Sequence, residues 1–436
     1  MASDAKTRQF EYGGAAVDRI SSLPTSLMDS ILERLLTDDA ARTSVISKTW
    51  RDVWRMHPRI HLDENLISEL VFEKFSELDE HTQLLELSRT ITDIFSAHRG
   101  PVLDFLLFIP ENLPIHQTLD MAIWIRNISD SGVRKLKLLN ESLFNPFIVP
   151  SYFFSCSQLT HLTLVNCELN PPFGFGGFCN LISVELKYVA IYADMSLGTQ
   201  LKELDMEICT GIEHLGCQFN CENKVTSLRI VDCEVIYYQW FECIQKLQVL
   251  ELGMNELPST GNQVITLDKL VHNMPRLSSL FLDGFFLKIL KPGAATFMRL
   301  SRTMEYLKYL YLHCIELYEL DQSQHVLCLV RSSPNLQLLK IDLVHGVQSD
   351  DDVDLSDFVV LSDPMILSRL ETIMIFDLVG SLTEFQLIEL LLVSSPSLKR
   401  IKLKTHTMKD PTDVFRISQE VEQIPRASKS AQIQWM

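Results

Sequence analysis

Leucine recurs along most of this chain with a spacing that suits neither an isolated helix nor an isolated strand. From about residue 133 the phrase L-x-x-L-x-L-x-x-(C/N)-x-L repeats, most clearly as "LTHLTLVNCEL" (159–169), "VTSLRIVDCEV" (225–235) and "LQVLELGMNEL" (247–257). Looser copies are "VRKLKLLN", "LISVELKYVAI", "LKELDMEICTGI", "LSSLFLDGFFL", "LKYLYLHCIEL", "LQLLKIDL", "LETIMIFDL" and "LKRIKLK". The starts fall at 133, 159, 181, 201, 225, 247, 277, 307, 336, 370 and 398. Inside each copy the alternation has the period of a strand, so each predicts one short strand with its leucines turned into a shared core. Eleven copies in series predict a stacked array whose units support only their neighbours. Cys167, Cys209 and Cys233 fill the ninth position, just beyond the strand, which gives them a structural role; Asn in that slot satisfies backbone groups of the turn. Spacing grows from 20–26 residues early to 28–34 later. The longer spacers hold amphipathic segments ("LDKLVHNM", "HVLCLVRSS", "FQLIELLLVSS") that predict helices on the outer side and a sharper curve towards the C-terminus.

Ahead of the array the pattern differs. Residues 1–17 are small and polar and read as a flexible tail. In "LPTSLMDSILERLL", Pro24 suits a first helical turn, and Leu27, Met28, Ile31, Leu32 and Leu35 make one apolar stripe. "TDDA" offers capping side chains for a second helix carrying Ala41 and Val45. A third helix, roughly Ser47 to Met56, sets Trp50 and Trp54 on one face and ends near Pro58. Three short helices bury little, so one apolar face is expected to await a partner. Residues 62–98 read as helical through Leu66, Leu70, Phe72, Leu84, Leu87, Ile91 and Phe95, and "PVLDFLLFIP" reads as a buried strand.

Composition narrows the function. The 436 residues are 46% hydrophobic and 22% charged, enough for a large core. A net charge of −17 argues against sequence-independent nucleic-acid binding, which needs Lys and Arg on phosphates. Ten cysteines without a CxxC pair point to small core hydrophobes rather than a disulfide framework. With no secretory signal and no apolar run long enough to span a bilayer, the expected location is intracellular, in nucleus or cytoplasm.

The repeat phrase is the signature of leucine-rich repeats. "DRISSLPTSLMDSILERLLTDDAARTSVISKTWRDVW" (18–54) resembles the plant F-box, sharing "DRIS.LP", "IL", "DA.RTSV.SK.WR..W" and the tryptophan pair. "LETIMIFDLVGSLTEFQLIELLLVSSPSLKRIKL" (370–403) and "IPRASKSAQIQW" (424–435) resemble the FBD region of plant F-box/leucine-rich-repeat proteins. Leu36 departs from the pattern, standing where many relatives have proline between the first two helices. The resemblance implies an α/β chain: a flexible tail (1–17), an all-α F-box (18–60), a helical linker and first strand (61–132), leucine-rich repeats (133–369) with strands on the concave face, and FBD-like repeats with a cap (370–436). It implies a non-catalytic, cofactor-free subunit of a Skp–cullin–F-box ubiquitin ligase, bound to a Skp-family adaptor and through it to cullin, that presents a client protein. Carried over by position, the adaptor face is Leu23, Pro24, Ile31, Leu32, Leu35, Val45, Ser47, Lys48, Trp50 and Trp54. The competing reading keeps the tryptophans inside, plugging the module against the helices that come after it.

Alternation also predicts the outward face of the array. The middle position of the repeats reads Thr163, Glu185, Asp205, Arg229, Glu251, Phe281, Tyr311, Lys340, Met374 and Lys402, a ladder at strand spacing. Phe281, Tyr309, Tyr311 and Phe376 are candidate anchors for a client, with Arg400 and Lys402 selecting an acidic feature. Other motifs fail. "GFGGF" (174–178) lacks the Lys-Ser/Thr of a phosphate loop. "DDDVDLSD" (350–357) has Leu355 and Leu361 where a calcium loop needs Gly and Glu. His57 and His61 are separated by Pro58, and there is no HExxH and no nucleophile–base motif. Paired Cys and His ligands of a zinc-bound ring are likewise missing. An alternative class remains: a receptor whose concave face holds a small molecule together with the client, which converging Arg and Lys in a deep pocket would favour.

Overall fold

The computed structural model describes residues 18–111, 121–142, 145–216, 224–233, 241, 244–254, 266–290, 299–345, 365–406 and 410–436. The 1–17 tail and the "DDDVDLSD" segment lie outside these residues. The N-terminal module holds α1 (Thr25–Leu32), α2 (Thr37–Arg42), a 3-10 turn (Thr43–Val45) and α3 (Lys48–Met56). Pro24 precedes α1, and its carbonyl accepts from the Leu27 and Met28 amides at 2.9 and 3.1 Å. The side-chain cap expected for α2 is not formed. Leu36 occupies the cap position and has no acceptor, while Thr37 lies one residue too far in and its hydroxyl accepts from the His61 amide at 3.2 Å instead. Ser47 does cap α3, accepting from the Trp50 amide at 3.3 Å.

The strands are β1 (Arg59–Leu62), β2 (Asp104–Ile109), β3 (Lys135–Asn140), β4 (Phe147–Ile148), β5 (His161–Leu169), β6 (Ser183–Ile191), β7 (Met195–Ser196), β8 (Glu203–Glu207) and β9 (Leu215–Gly216). They continue with β10 (Ser227–Val231), β11 (Val249–Gly253), β12 (Ser279–Asp283), β13 (Tyr309–Ile315), β14 (Leu338–Leu343), β15 (Thr372–Leu378), β16 (Arg400–Thr405) and β17 (Gln432–Trp435). Among the described residues fifteen of them make one sheet ordered β1-β2-β3-β5-β6-β8-β10-β11-β12-β13-β14-β15-β16-β17, with β4 paired to β5. Neighbours are parallel throughout, as when each strand follows the last through a crossover. All eleven repeat strands begin two residues after the start of their leucine phrase. The sheet starts earlier than the sequence indicates: β1 sits directly behind the N-terminal module, within residues read as its end and the linker.

Behind β1 come α4 (Glu64–Ser68), a π turn (Glu69–Lys74), α5 (Glu80–Ala97) and α6 (Met121–Asp130). Where described, the early spacers between repeats are extended or 3-10, whereas later ones hold α7 (Leu267–His272), α8 (Gly284–Ile289), α9 (Leu320–Arg331), α10 (Leu382–Ser394) and α11 (Pro411–Gln423). One continuous core runs from Ile60 to Ala431 and is filled by the phrase leucines, while Met28, Leu32, Ala40, Trp50 and Val53 form a small separate core.

The eighth position of six repeats is left-handed: Asn166, Tyr188, Ile208, Asp232, Cys314 and Asp377 have φ between 51° and 64°. This kink takes the ninth residue out of the strand's alternation and into the core, where Cys167, Cys209 and Cys233 are buried. Their thiols lie 3.3, 3.5 and 3.6 Å from the carbonyls two residues earlier, an inward-facing structural role. Two asparagines, Asn140 and Asn166, stand at the eighth position: Asn140 donates to the Asn166 carbonyl at 3.1 Å, and Asn166 donates to that of Ser142. "GFGGF" is a loop between repeats, with Phe175 and Phe178 packed edge-on at 5.1 Å.

Candidate functional site

Two surfaces are candidates for binding macromolecules. On the N-terminal module, Trp50 is 2% exposed and its Nε1 donates to the Ile20 carbonyl at 3.2 Å. Leu32 is fully buried beside it. Both were expected on the adaptor face, and burial removes them from it: five core residues are too few to close without the largest ring among them. Leu23, Leu35 and Trp54 are half-buried against this core, and Ser47 is committed to its cap. The residues left facing out are Pro24, Ile31, Val45 and Lys48, joined by Ile20, Leu27, Leu36, Ile46 and Met56, which were not among those assigned to the adaptor face. Val45 is 81% exposed. Helical periodicity found the stripe on α1 but could not say which edge of it meets α3.

The module is held firmly to the sheet. Arg59, at the start of β1, donates to the carbonyls of Glu33, Leu32 and Leu35 at 2.6, 2.9 and 3.0 Å, satisfying the C-terminal end of α1. The amides of Arg99 and Gly100 donate to the Arg55 carbonyl at 2.8 and 3.1 Å. A Cβ on Gly100 would lie 2.5 Å from the Met56 oxygen, so only glycine allows this approach. Two histidines are sealed into the joint. His57 stacks on Trp54 at 6.3 Å, and neither of its ring nitrogens has a hydrogen-bond partner among the described residues. Burial holds its pKa below the ordinary histidine value, helped by Arg59 and His61 and opposed by Asp29 and Glu33. Burial likewise lowers His98, with His57 adding to the effect and a backbone bond to Gly100 opposing it. A depressed folded pKa means that the unfolded chain takes up protons first, so stability falls as pH drops below about 6.5. Thermal melts from about pH 7.5 down to 5.5 should show that loss, and His57→Phe should flatten it; equal slopes in the two proteins would exclude the joint as its source.

The second surface is the outward face of the repeat strands. The predicted ladder pairs rung by rung: Thr163 with Glu185, Glu185 with Asp205, Asp205 with Arg229, Arg229 with Glu251, Glu251 with Phe281, Phe281 with Tyr311, Tyr311 with Lys340, Lys340 with Met374, and Met374 with Lys402. Arg229 Nη1 lies 2.8 Å from Asp205 and 2.7 Å from Glu207, and its Nε lies 3.1 Å from Glu251. Partial burial works against this charge, but the bonds to Asp205 and Glu207 more than offset it and hold the guanidinium above its ordinary pKa. Phe281 meets Tyr311 edge-on at 5.7 Å. Lys340 Nζ sits 4.0 Å from the Tyr311 ring centre and 4.9 Å from that of Phe376, and donates to the Tyr311 hydroxyl at 2.8 Å. Tyr311 in turn donates to Asp342; burial and that carboxylate push its pKa up.

Three of the four candidate anchors thus form one cluster around Lys340. Tyr309 is exposed two residues from Tyr311 on the neighbouring column, and Arg400 and Lys402 lie on β16, three strands or about 14 Å from Tyr311's strand. Arg400 Nε also donates to the Thr372 hydroxyl at 3.1 Å. Sequence reasoning missed Asp283, His313 and Asp342, although they occupy the next outward column of the same alternation. A pocket of about 320 Å³ opens beside the cluster, lined by Arg229, Glu251, Gly253, Phe281, Asp283 and His313 among others.

Comparison with known proteins agrees with this geometry. Residues 20–62 match the F-box domain. An F-box/FBD/LRR-repeat protein of Arabidopsis thaliana is 29% identical over 96% of this chain and 99% of its own length. The chain carries an F-box domain and is similar along nearly its whole length to plant F-box/FBD/LRR-repeat proteins. A second F-box/FBD/LRR-repeat protein of Arabidopsis thaliana is 31% identical over 38% of this chain and 35% of its own length, and a third is 24% identical over 74% and 71%. The F-box is therefore the helical module with its small core, and β1 falls within the matched residues. No helix among the described residues is long and apolar enough to cross a membrane.

Proposed function

We propose that the chain is the substrate-recognition subunit of a Skp–cullin–F-box ubiquitin ligase, an intracellular and non-catalytic adaptor. The observation that carries this is the apolar surface on the F-box. Ile20, Leu27, Ile31, Leu36, Val45 and Ile46 stay exposed on a module whose own core holds five buried residues. Leaving that much hydrocarbon in water is costly for so small a unit and is recovered when a Skp-family adaptor covers it. Aliphatic centre and basic rim (Lys48, Arg51) fit the anatomy of such an interface. The tether through Arg59 fixes the outward face of the repeats relative to the ligase, so that Phe281, Tyr309, Tyr311 and Phe376, with Arg400 and Lys402 beyond them, present the client.

The pocket on this face supports direct protein binding over a small-molecule receptor. Its one arginine is already shared among three carboxylates, so it offers no free cationic grip for an anionic signal. Val45→Asp should weaken Skp binding about 30-fold or more, the effect of losing a central anchor worth about 2 kcal/mol, with the melting temperature unchanged. Titration of the purified chain with a Skp homologue measures this; undiminished affinity places the adaptor elsewhere.

A further inference from the structure

We propose that Asp283, His313 and Cys314 form a Zn²⁺ site where β12 and β13 end, with a fourth coordination position open to the pocket on the outward face. This goes beyond the ligase reading and does not depend on it. One donor atom from each residue lies within 4.8 Å of the others. Zinc bond lengths put tetrahedral ligands roughly 3.4–3.6 Å apart, so the trio is at most about 1.4 Å wider than a loaded site, within reach of small side-chain rotations. A thiolate, an imidazole and a carboxylate together select zinc over the hard cations, which take oxygen ligands.

The backbone explains how two consecutive residues reach one point. On a regular strand His313 and Cys314 would face opposite sides of the sheet. Cys314 has φ 52°, which breaks the alternation and swings its side chain off the core side. Each remaining ligand is oriented by a partner. His313 Nδ1 lies 3.1 Å from Asp342 Oδ2, leaving Nε2 for a metal, the carboxylate–histidine pairing seen behind zinc ligands. Asp342 is itself held by the Tyr311 hydroxyl and by Lys340 at 3.3 Å. Asp283 Oδ1 accepts from the Phe285 amide at 2.7 Å, which leaves Oδ2. Gly253 precedes Asp283 in the same column and lines the pocket beside it; a Cβ there would lie 3.7 Å from the Asp283 Cβ. Glu251 and Asp342 add negative charge around the point where a cation would sit, and Arg229 is neutralised by its own carboxylates.

The test uses the full chain, reduced and stripped with a chelator, titrated with Co²⁺ and then Zn²⁺. One equivalent of Co²⁺ should give visible bands of tetrahedral intensity and a near-ultraviolet thiolate-to-cobalt band, both erased by Zn²⁺. Cys314→Ser should remove the thiolate band, and His313→Ala should remove the tetrahedral bands. Asp342→Asn, acting only through the imidazole, should weaken affinity roughly tenfold or more while the spectrum keeps its shape. Cys179→Ser, at an exposed cysteine elsewhere, should change nothing. Circular dichroism melts that match the parent keep a negative result meaningful. Weak octahedral bands alone, or a thiolate band that survives Cys314→Ser, overturn the site.

Discussion

Trp50→Ala should abolish capture of a Skp adaptor, and should do so by unfolding the F-box rather than by removing a contact. The ring is one of five buried residues in its core and also supplies the hydrogen bond that ties Ile20 down. Truncating a buried tryptophan costs about 3–5 kcal/mol. A module of this size has little stability of its own to set against that loss, even braced by Arg59. Hydrogen exchange should show the amides of α1 and α3 losing protection while those of the repeats keep theirs. Val45→Asp should give the opposite pattern: binding lost, protection kept. If Trp50→Ala retained full protection but failed to bind, the ring would be a surface anchor and its assignment to the interior wrong.

Removing the carboxylate of Glu384 should loosen the C-terminal repeats by about 3 kcal/mol. Glu384 is 2% exposed and sits in a capping box with Ser381 at the start of α10. It accepts from the amides of Val379, Gly380 and Ser381 at 3.1, 2.7 and 3.2 Å, and His345 approaches at 3.7 Å. Those amides belong to a turn with no slack: Gly380 has φ 80°, and a Cβ there would come within 2.7 Å of Ile417. Glu384→Ala strands several donors away from water at about 1–3 kcal/mol each, partly relieved by solvent entry. Because repeats support only their neighbours, the damage should stay local. Exchange should rise from about β15 onward and leave the F-box and Skp affinity untouched. A uniform loss along the whole array would show that the solenoid unfolds as one unit instead.

The order of amino acids is enough to set the repeat strands, their starts and the sequence of the outward ladder. A strict period of two joined to a repeating leucine phrase leaves a parallel array no freedom of register. A slip of one residue would turn Leu310 and Leu312 outward and Tyr311 inward. The F-box was legible from its motif, and α7, α9 and α10 of the later spacers from their apolar stripes. Only the folded chain shows which F-box residues face out, since a stripe on α1 is satisfied equally by α3 or by a partner. The same holds for the left-handed eighth position, the Arg59 tether, the enclosure of Glu384 and the meeting of Asp283 with His313 and Cys314. Each of these joins residues far apart in the chain or depends on a single backbone angle. Local periodicity, which carries information only about near neighbours and averaged geometry, contains neither.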